Sequence, residues 1–484
     1  MSARPLHKNL ILMLVALAQF MVVLDIAIVN VAIPSIFEAL KFKSADDLQW
    51  VVTAYTLAFG GFLLLGGRAA DLFGQRRVFL LGVSMFTAAS LLCGLAATDA
   101  QIVIARAAQG LSAAIMSPAA LAILIRNFKE GKERHRALGV WSAVAAGGAA
   151  AGVLLGGVLT QYLDWRWNFF VNVPVGVMLL AASLRFIPEG RAALKHRHLD
   201  LPGAVLVTSG LMMLVYGLSK APSRGWLSES SLLFFSSSAL LLVAFVVNET
   251  RSRYPLMPLS IFRIRNVFGA NFSQLPVTAS MFSMFFFLTL YVQTVLGYTP
   301  VKTGLSFLPI TFIVGLTATT VTRFIARVGY KPFLMVGPVL LMGGFYLLSR
   351  LGADGGYWSD VFPGLAIVSV GMGMMFVAVT IAATNGVPHN EAGLASGLLN
   401  TSQQIGGSLG LAVLTGVAAS KTSEVASKLG ERGRETALQA QVEGYQEAFK
   451  IAIVFAVIAL VLTALLIKQR KGEKIDPEAA LIGG

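Results

Sequence analysis

The chain is dominated by long apolar stretches separated by short polar segments. Fourteen stretches hold roughly 18 or more mainly apolar residues, and because lipid offers no partners to backbone N–H and C=O groups, each is predicted to be a spanning helix. The predicted spans are 9–33, 50–66, 78–97, 101–125, 138–163, 168–187, 199–219, 231–248, 267–294, 303–325, 333–349, 360–382, 393–419 and 448–467.

The composition agrees with this pattern. Of 484 residues, 56% are hydrophobic and 13% are charged, whereas soluble domains carry about 25% charged residues. The first apolar stretch is too long for a signal peptide and lacks a small-residue cleavage site, so it is predicted to be the first span. We therefore expect an all-α integral membrane protein.

The basic residues set the expected orientation. Lys and Arg outnumber Asp and Glu by 38 to 24, and they concentrate in short loops rather than on an aromatic-rich basic face, which argues against nucleic-acid binding. Placing the N-terminus in the cytoplasm puts 25 Lys and Arg inside and 12 outside, five of the latter in one long loop. Both termini are therefore predicted to be cytoplasmic.

Enzymatic and metal chemistry find no support in the sequence. Cys93 is the single cysteine, and the five histidines fall in the tail or loops without ligand-like spacing. We expect no enzyme, no metal site and no cofactor.

A weak internal repeat divides the chain. Segment 67–77, after the second span, aligns with 322–332, after the tenth, although the acid of the first copy is missing from the second. The aligned pairs include Gly74 with Gly329 and Arg76 with Lys331. This predicts two six-helix bundles with two inserted central helices. The expected divisions are 1–190, the insert and linkers at 191–260, and 261–484 with an extracytoplasmic loop at 421–450.

Two motifs are candidates for conformational change. The cluster after the second span combines turn glycines with an acid and two bases, which can hold helix ends together by charge; a plain positive-inside loop is the alternative. Its candidate residues are Gly67, Asp71, Gly74, Arg76 and Arg77. The fifth span carries a small-residue stripe that permits close backbone approach, with or without a transport role. Its candidates are Gly148, Gly152, Gly156 and Gly157.

Asp25 and Arg106 are the charges placed deepest in the apolar stretches. At 1.5 Å per residue they lie about 12 Å and about 7.5 Å below the outer ends of their helices, so they are predicted to share one cavity in the outer half. Burying an ionisable group at such depth costs at least about 2.5 kcal/mol, which calls for a functional reason or a static ion pair.

Polar residues at depth, together with Phe and Met residues, are the candidate substrate contacts, since polarisable side chains suit a promiscuous pocket. These candidates are Asn30, Gln109, Asn271, Gln274, Phe282, Phe286, Met375, Asn400 and Gln404.

Several stretches resemble the major facilitator superfamily, in particular its fourteen-helix drug:proton antiporter branch. They are LDIAIVNVAIP (24–34), GGRAADLFGQRR (66–77), ARAAQG (105–110), the glycine stripe and DWRWNFFVNVPVG (164–176). The chain departs from the family at Ala27, where Thr is usual, and at Val153, where Pro is usual. It also lacks the extra acids in the tenth and thirteenth helices that are found in exporters of dicationic drugs.

The resemblance implies a bacterial inner-membrane antiporter in which Asp25 and Arg106 couple export to the proton gradient. Expected partners are a small molecule, protons and the bilayer, and the expected state is a monomer. The first hypothesis is efflux of amphipathic or hydrophobic drugs by alternating access. The alternatives are a dedicated exporter of one metabolite, lipid or antibiotic, and a non-transporting membrane sensor, since fold alone does not prove function.

Overall fold

The computed structural model describes residues 5–128, 132–188, 199–387, 391–429 and 433–469. Within these ranges the chain forms fourteen long helices. They are α1 (Pro5–Leu40), α2 (Trp50–Phe73), α3 (Gln75–Gly94), α4 (Asp99–Asn127), α5 (Lys132–Tyr162), α6 (Asn172–Phe186), α7 (Leu201–Arg224), α8 (Glu229–Arg251), α9 (Arg265–Leu290), α10 (Pro300–Val328), α11 (Lys331–Leu348), α12 (Phe362–Thr384), α13 (Ala392–Leu429) and α14 (Gly433–Leu466). The predicted fold class is therefore confirmed.

Twelve helical segments of the described chain are long and apolar enough to cross a membrane. The long helices outside that set are α5 and α13. Both still pack along apolar helices, α5 on α1 and α13 on α9, and the chain is a multi-pass membrane protein.

Local sequence explains several helix boundaries. The side chains of Thr98, Ser228 and Thr299 accept hydrogen bonds from backbone N–H groups in the first turns of α4, α8 and α10. Gly74 and Gly329 end α2 and α10 with φ angles of 97° and 91°, which favour glycine.

The internal repeat corresponds to equivalent structure in the two bundles. Arg76 donates a hydrogen bond to the Leu184 carbonyl at the end of α6 (2.5 Å), and its counterpart Lys331 donates to the Ile467 carbonyl just after α14 (2.8 Å). In each bundle, the base that follows the positive-φ glycine therefore caps the last helix, where a cation is favourable.

The segment predicted as the 421–450 loop is different in the structure. Helix α13 continues to Leu429 and α14 begins at Gly433, so the described part of this segment is the two ends of long helices. Gly444 packs against the Ala418 carbonyl, and Val442 and Tyr445 are buried. The charged pattern of this segment, whose weakly amphipathic spacing already indicated a solvated helix, is the solvated face of a helical hairpin.

Candidate functional site

The bundle has two ends, which we define by the chain. The terminal end is where α1 begins and α14 ends, and the far end is where α1 ends and α2 begins. The N-terminal bundle (α1–α6) meets the C-terminal bundle (α9–α14) along two seams, one between α2 and α13 and the other between α5 and α10.

Asp25 and Arg106 form an ion pair in the N-terminal bundle. The Arg106 Nη1 atom lies 2.5 Å from the Asp25 Oδ2 atom, and the side chains are 0% and 1% exposed. The sequence prediction that the two charges lie together is correct. The predicted shared cavity is absent from this part of the described structure, because the pair is enclosed by protein on all sides.

Amide side chains complete the coordination of the carboxylate. The second Asp25 oxygen accepts hydrogen bonds from Gln109 Nε2 (2.7 Å) and Asn172 Nδ2 (3.1 Å). Gln109 also donates to Ser90 (2.7 Å) and accepts from Arg106 (2.6 Å). Gln109 was predicted to contact substrate, but its side chain is fully buried in this charge network.

Arg106 is also held by α2, independently of the carboxylate. Its Nε atom donates to the Val51 carbonyl (2.9 Å), and its guanidinium lies 4.3 Å from the centre of the Tyr55 ring. Cation–π contact and a backbone acceptor stabilise the arginine even when Asp25 is neutral. Protonation of Asp25 would therefore weaken the link from α1 to α4 more than the link from α4 to α2.

The glycine stripe packs against the segment of α1 that carries Asp25. A Cβ at Gly152 would lie 2.7 Å from the Ala27 Cβ and 2.8 Å from the Leu24 carbonyl, and one at Gly156 would lie 2.7 Å from the Ile28 carbonyl. Gly148 approaches Phe20 of the same helix. Close packing thus couples the position of α5 to the turn of α1 that includes the acid.

Gly157 has a different role from the rest of the stripe. A Cβ there would lie 2.6 Å from the Pro300 carbonyl, at the start of α10, and a Cβ at Gly304 would lie 2.6 Å from the Val153 carbonyl. Helix α5 therefore packs against α1 on one face and against the C-terminal bundle on another.

The two bundles contact each other toward the far end. Hydrogen bonds join Gln293 to the Val31 carbonyl (2.8 Å) and the Val301 N–H to Gln161 (3.1 Å). Toward the terminal end, no described atom beyond the local helix lies within 4 Å of a Cβ built at Gly393, in the first turn of α13. The described contacts therefore close the far end, while α5 and α10 separate toward the terminal end, where a Cβ at Gly139 or Gly315 meets no described atom within 4 Å.

In this state Asp71 forms no ion pair with the bases of the predicted gate cluster. Asp71 is half-buried and makes no hydrogen bond or ion pair with the described residues, whereas Arg76 caps α6 as described above. Gly67, beside it, approaches only Pro118 (3.7 Å). The charges that sequence placed in one cluster thus have separate environments here.

The remaining predicted substrate residues are scattered. Phe286 and Met375 are 1% and 2% exposed and pack inside the C-terminal bundle, Met375 against Gly337, so neither lines the space between the bundles. Phe282 packs on Gly407 of α13. Their role as substrate contacts stays a prediction, and composition could not reveal this packing.

Among the predicted polar contacts, two have an unused oxygen. The side-chain carbonyl oxygens of Gln274 and Gln404 are buried without a partner in the described structure, a costly state that a ligand or water would relieve. Asn271 accepts from Ser402, and Asn30 donates to its own helix at the Ile26 carbonyl. Asn400 is half-buried.

Sequence reasoning missed two residues of the charge network. Asn172 lies in the quoted 164–176 motif and Tyr55 in the second span, yet neither was assigned to the acid or the arginine. An Asn inside an apolar stretch was the available signal, since such a group must find a partner. For the network as a whole, the spacing of Gln109 was a second signal, because a residue three positions after Arg106 lies on the same helix face.

Two related six-helix bundles around a central seam, one of them with a buried ion pair, define a polytopic membrane transporter. The chain belongs to the Major Facilitator Superfamily, whose family model matches residues 15–411. Its substrate is accordingly a small molecule.

Relatives and solved structures agree with this family. The chain is 40% identical over 459 residues to the puromycin resistance protein pur8 of Streptomyces alboniger, covering 94% of this chain and 90% of that protein. It is 40% identical over 463 residues to the cephamycin export protein CmcT of Amycolatopsis lactamdurans, covering 94% and 92%. Its fold matches an inward-facing bacterial homolog of the human lysosomal transporter Spinster at a TM-score of 0.67, with 16% identity and coverage of 96% and 97%.

Proposed function

We propose that this protein exports amphipathic, drug-like molecules across a bacterial inner membrane in exchange for protons. The names of its relatives support the export of antibiotics and drugs, since they include a puromycin resistance protein, a cephamycin export protein and a multidrug resistance protein of Mycobacterium tuberculosis. The excess of basic residues at the terminal end supports a cytoplasmic location for both termini. The open end then faces the cytoplasm.

The observation that carries proton coupling is the fully buried Asp25–Arg106 pair beside the helix that contacts the other bundle. An acid at this depth is costly, and its two charge states differ in how strongly they bind Arg106. Protonation would release α1, and with it α5, whose other face contacts Pro300 of α10. Protonation of Asp25 is thereby linked to the α5–α10 contact that closes the far end.

A specific observation also favours the second hypothesis, a dedicated exporter. Two of the most similar relatives are each named for a single antibiotic. Such an exporter would use the same charge network and differ only in the side chains that contact its substrate. Because the network is formed by one chain, we propose that the monomer is the working unit.

A substrate panel in everted vesicles tests the proposal. Vesicles with the wild-type protein should take up several unrelated amphiphiles when a pH gradient is imposed, and uptake should stop when a protonophore collapses it. Vesicles without the protein are the control. Uptake of one compound supports the dedicated exporter, uptake that ignores the gradient contradicts proton coupling, and no uptake of any compound supports a non-transporting sensor.

A further inference from the structure

The inserted hairpin α7–α8 lies over one of the two seams. Helix α7 packs against α2, where a Cβ at Gly61 would lie 2.2 Å from the Thr208 hydroxyl, and against α13, where a Cβ at Gly416 would lie 2.7 Å from Pro222. An apolar cluster joins the three helices. Its buried members are Leu57, Leu211, Val215 and Ala412. Helix α7 therefore contacts both bundles along the α2–α13 seam.

Polar contacts fasten α7 to the N-terminal bundle at the far end. Gln49 donates to Ser219 (2.6 Å), and Lys220 forms an ion pair with Asp47 (2.7 Å). Burial acts to raise the pKa of the Asp47 carboxyl, but hydrogen bonds with Lys220 and Ser44, together with the nearby positive charges of Lys220 and Lys43, outweigh burial and hold this pKa below its ordinary value. The carboxylate is consequently charged at neutral pH, where the ion pair persists.

The hairpin is fastened to the other bundle at the terminal end. Asp200 accepts hydrogen bonds from the Gly203 N–H (2.9 Å) and from Asn248 (2.8 Å), which joins the start of α7 to the end of α8. The linker that follows packs Ile261 against an apolar cluster with Ala395 of α13. With 24 residues, α7 is about 36 Å long, enough to cover the seam through a hydrocarbon core of about 30 Å.

The opposite seam, between α5 and α10, opens toward the terminal end. Gly139 lies five helical turns from Gly157 and so on the same face of α5, while Gly315 lies about three turns from Gly304 on the same face of α10. Across the seam Gly157 closely approaches Pro300 and Gly304 closely approaches Val153, but no described atom lies within 4 Å of a Cβ built at Gly139 or Gly315.

The exposed edge of this opening is apolar. Phe312 and Leu316 of α10 are 73% and 59% exposed, and Val140 of α5 is 37% exposed. A molecule entering here crosses from lipid over apolar side chains, which suits an amphiphile dissolved in the leaflet and excludes a strongly hydrated solute.

We propose that α7 seals the α2–α13 seam against the bilayer and that the α5–α10 seam is the lateral entrance by which membrane-dissolved amphiphiles reach the space between the bundles. The entrance lies in the leaflet at the terminal end. This proposal rests on the proposed export function, and it gives the inserted hairpin a definite role, which is to restrict entry to one side of the transporter.

A transport assay with a bisbenzimide dye that fluoresces only in lipid tests the entrance. Gly315→Trp adds an indole where a Cβ meets no described atom within 4 Å, and the control Leu240→Trp places the same indole at a 71% exposed, lipid-facing position of α8. We expect Gly315→Trp to raise the half-saturating dye concentration in the membrane about tenfold with the maximal rate retained, because access is impaired and turnover is not.

The control should match the wild type in both parameters. An unchanged half-saturating concentration in Gly315→Trp, whether or not the maximal rate falls, would overturn the lateral entrance. A wild-type protein that does not move the dye at all would instead contradict the proposed export function.

A labelling experiment tests the same geometry without transport. Cys93 is fully buried, so it contributes little background. In liposomes, a lipid-soluble maleimide should modify Gly315→Cys rapidly and Leu57→Cys, beneath α7, at the background rate. Brominated acyl chains should quench a bimane label at position 315. Equal labelling at the two positions, or absence of quenching, would contradict the proposed asymmetry whatever the transport result.

Discussion

Replacing Asp25 with Asn removes the carboxylate that, among the described residues, neutralises Arg106. The pair is fully buried, so the variant leaves a cation whose remaining partners are the Gln109 oxygen, the Val51 carbonyl and the Tyr55 ring. Loss of one member of a buried pair typically costs about 3–5 kcal/mol, so Asp25→Asn is expected to lower stability as well as abolish gradient-driven efflux.

A double variant separates the two effects. In Asp25→Asn/Arg106→Gln both charges are gone and polar groups remain to satisfy Gln109 and Asn172, so most of the lost stability should return. Transport should not return, because neither side chain can take up a proton on each cycle.

Three measurements distinguish a proton-carrier role of Asp25 from a purely structural one. They are thermal unfolding in detergent, proton release on substrate addition, and efflux from vesicles. Wild-type rates of gradient-dependent efflux in either variant would refute the assignment of Asp25 as the proton carrier. Recovery of both stability and efflux in the double variant would reduce the pair to a structural element.

Asp71→Asn should weaken transport without changing topology, because loss of this half-buried charge is expected to shift the balance between the two states of the transporter by about 1–3 kcal/mol. Cytoplasmic cysteine accessibility should rise, and unchanged accessibility with normal transport would leave only a topology signal. Gly152→Leu should abolish efflux while Leu155→Ala, at a 39% exposed position, should be tolerated; equal tolerance in the same assay would place Gly152 against lipid. Tyr55→Phe should leave stability unchanged, because the Tyr55 hydroxyl is buried without a partner in the described structure. Tyr55→Leu should lower the free energy of unfolding by about 1–2 kcal/mol, because it removes the ring over Arg106, and equal unfolding midpoints of the two variants would exclude the cation–π contact.

The parts of the fold that sequence could predict are those that depend on local pattern. Apolar length and glycine spacing are properties of a single helix, so the fourteen helices and the close approach at Gly152 followed directly. The depth of Asp25 and Arg106 could also be calculated along each helix axis, which brought the two together correctly.

What sequence could not supply was the rotation of each helix about its axis. Phe286 and Met375 were chosen for their chemistry, but both point into the C-terminal bundle. Gln109 was chosen for its polarity and lies in the charge network. The location of the insert over a seam depends on contacts between residues more than 100 positions apart, such as Asp47 with Lys220, and no local pattern encodes those.

The charge network has a consequence for how the protein is made. Every described residue that hydrogen-bonds to Asp25 or Arg106 is synthesised by position 172, within the first six helices. The arginine and the acid can therefore neutralise each other while the ribosome is still translating the insert, and the nascent chain need not hold a bare charge in lipid until its second half arrives. Biogenesis of this transporter can proceed in two stages, with the charge network assembled before the remainder of the translocation pathway exists.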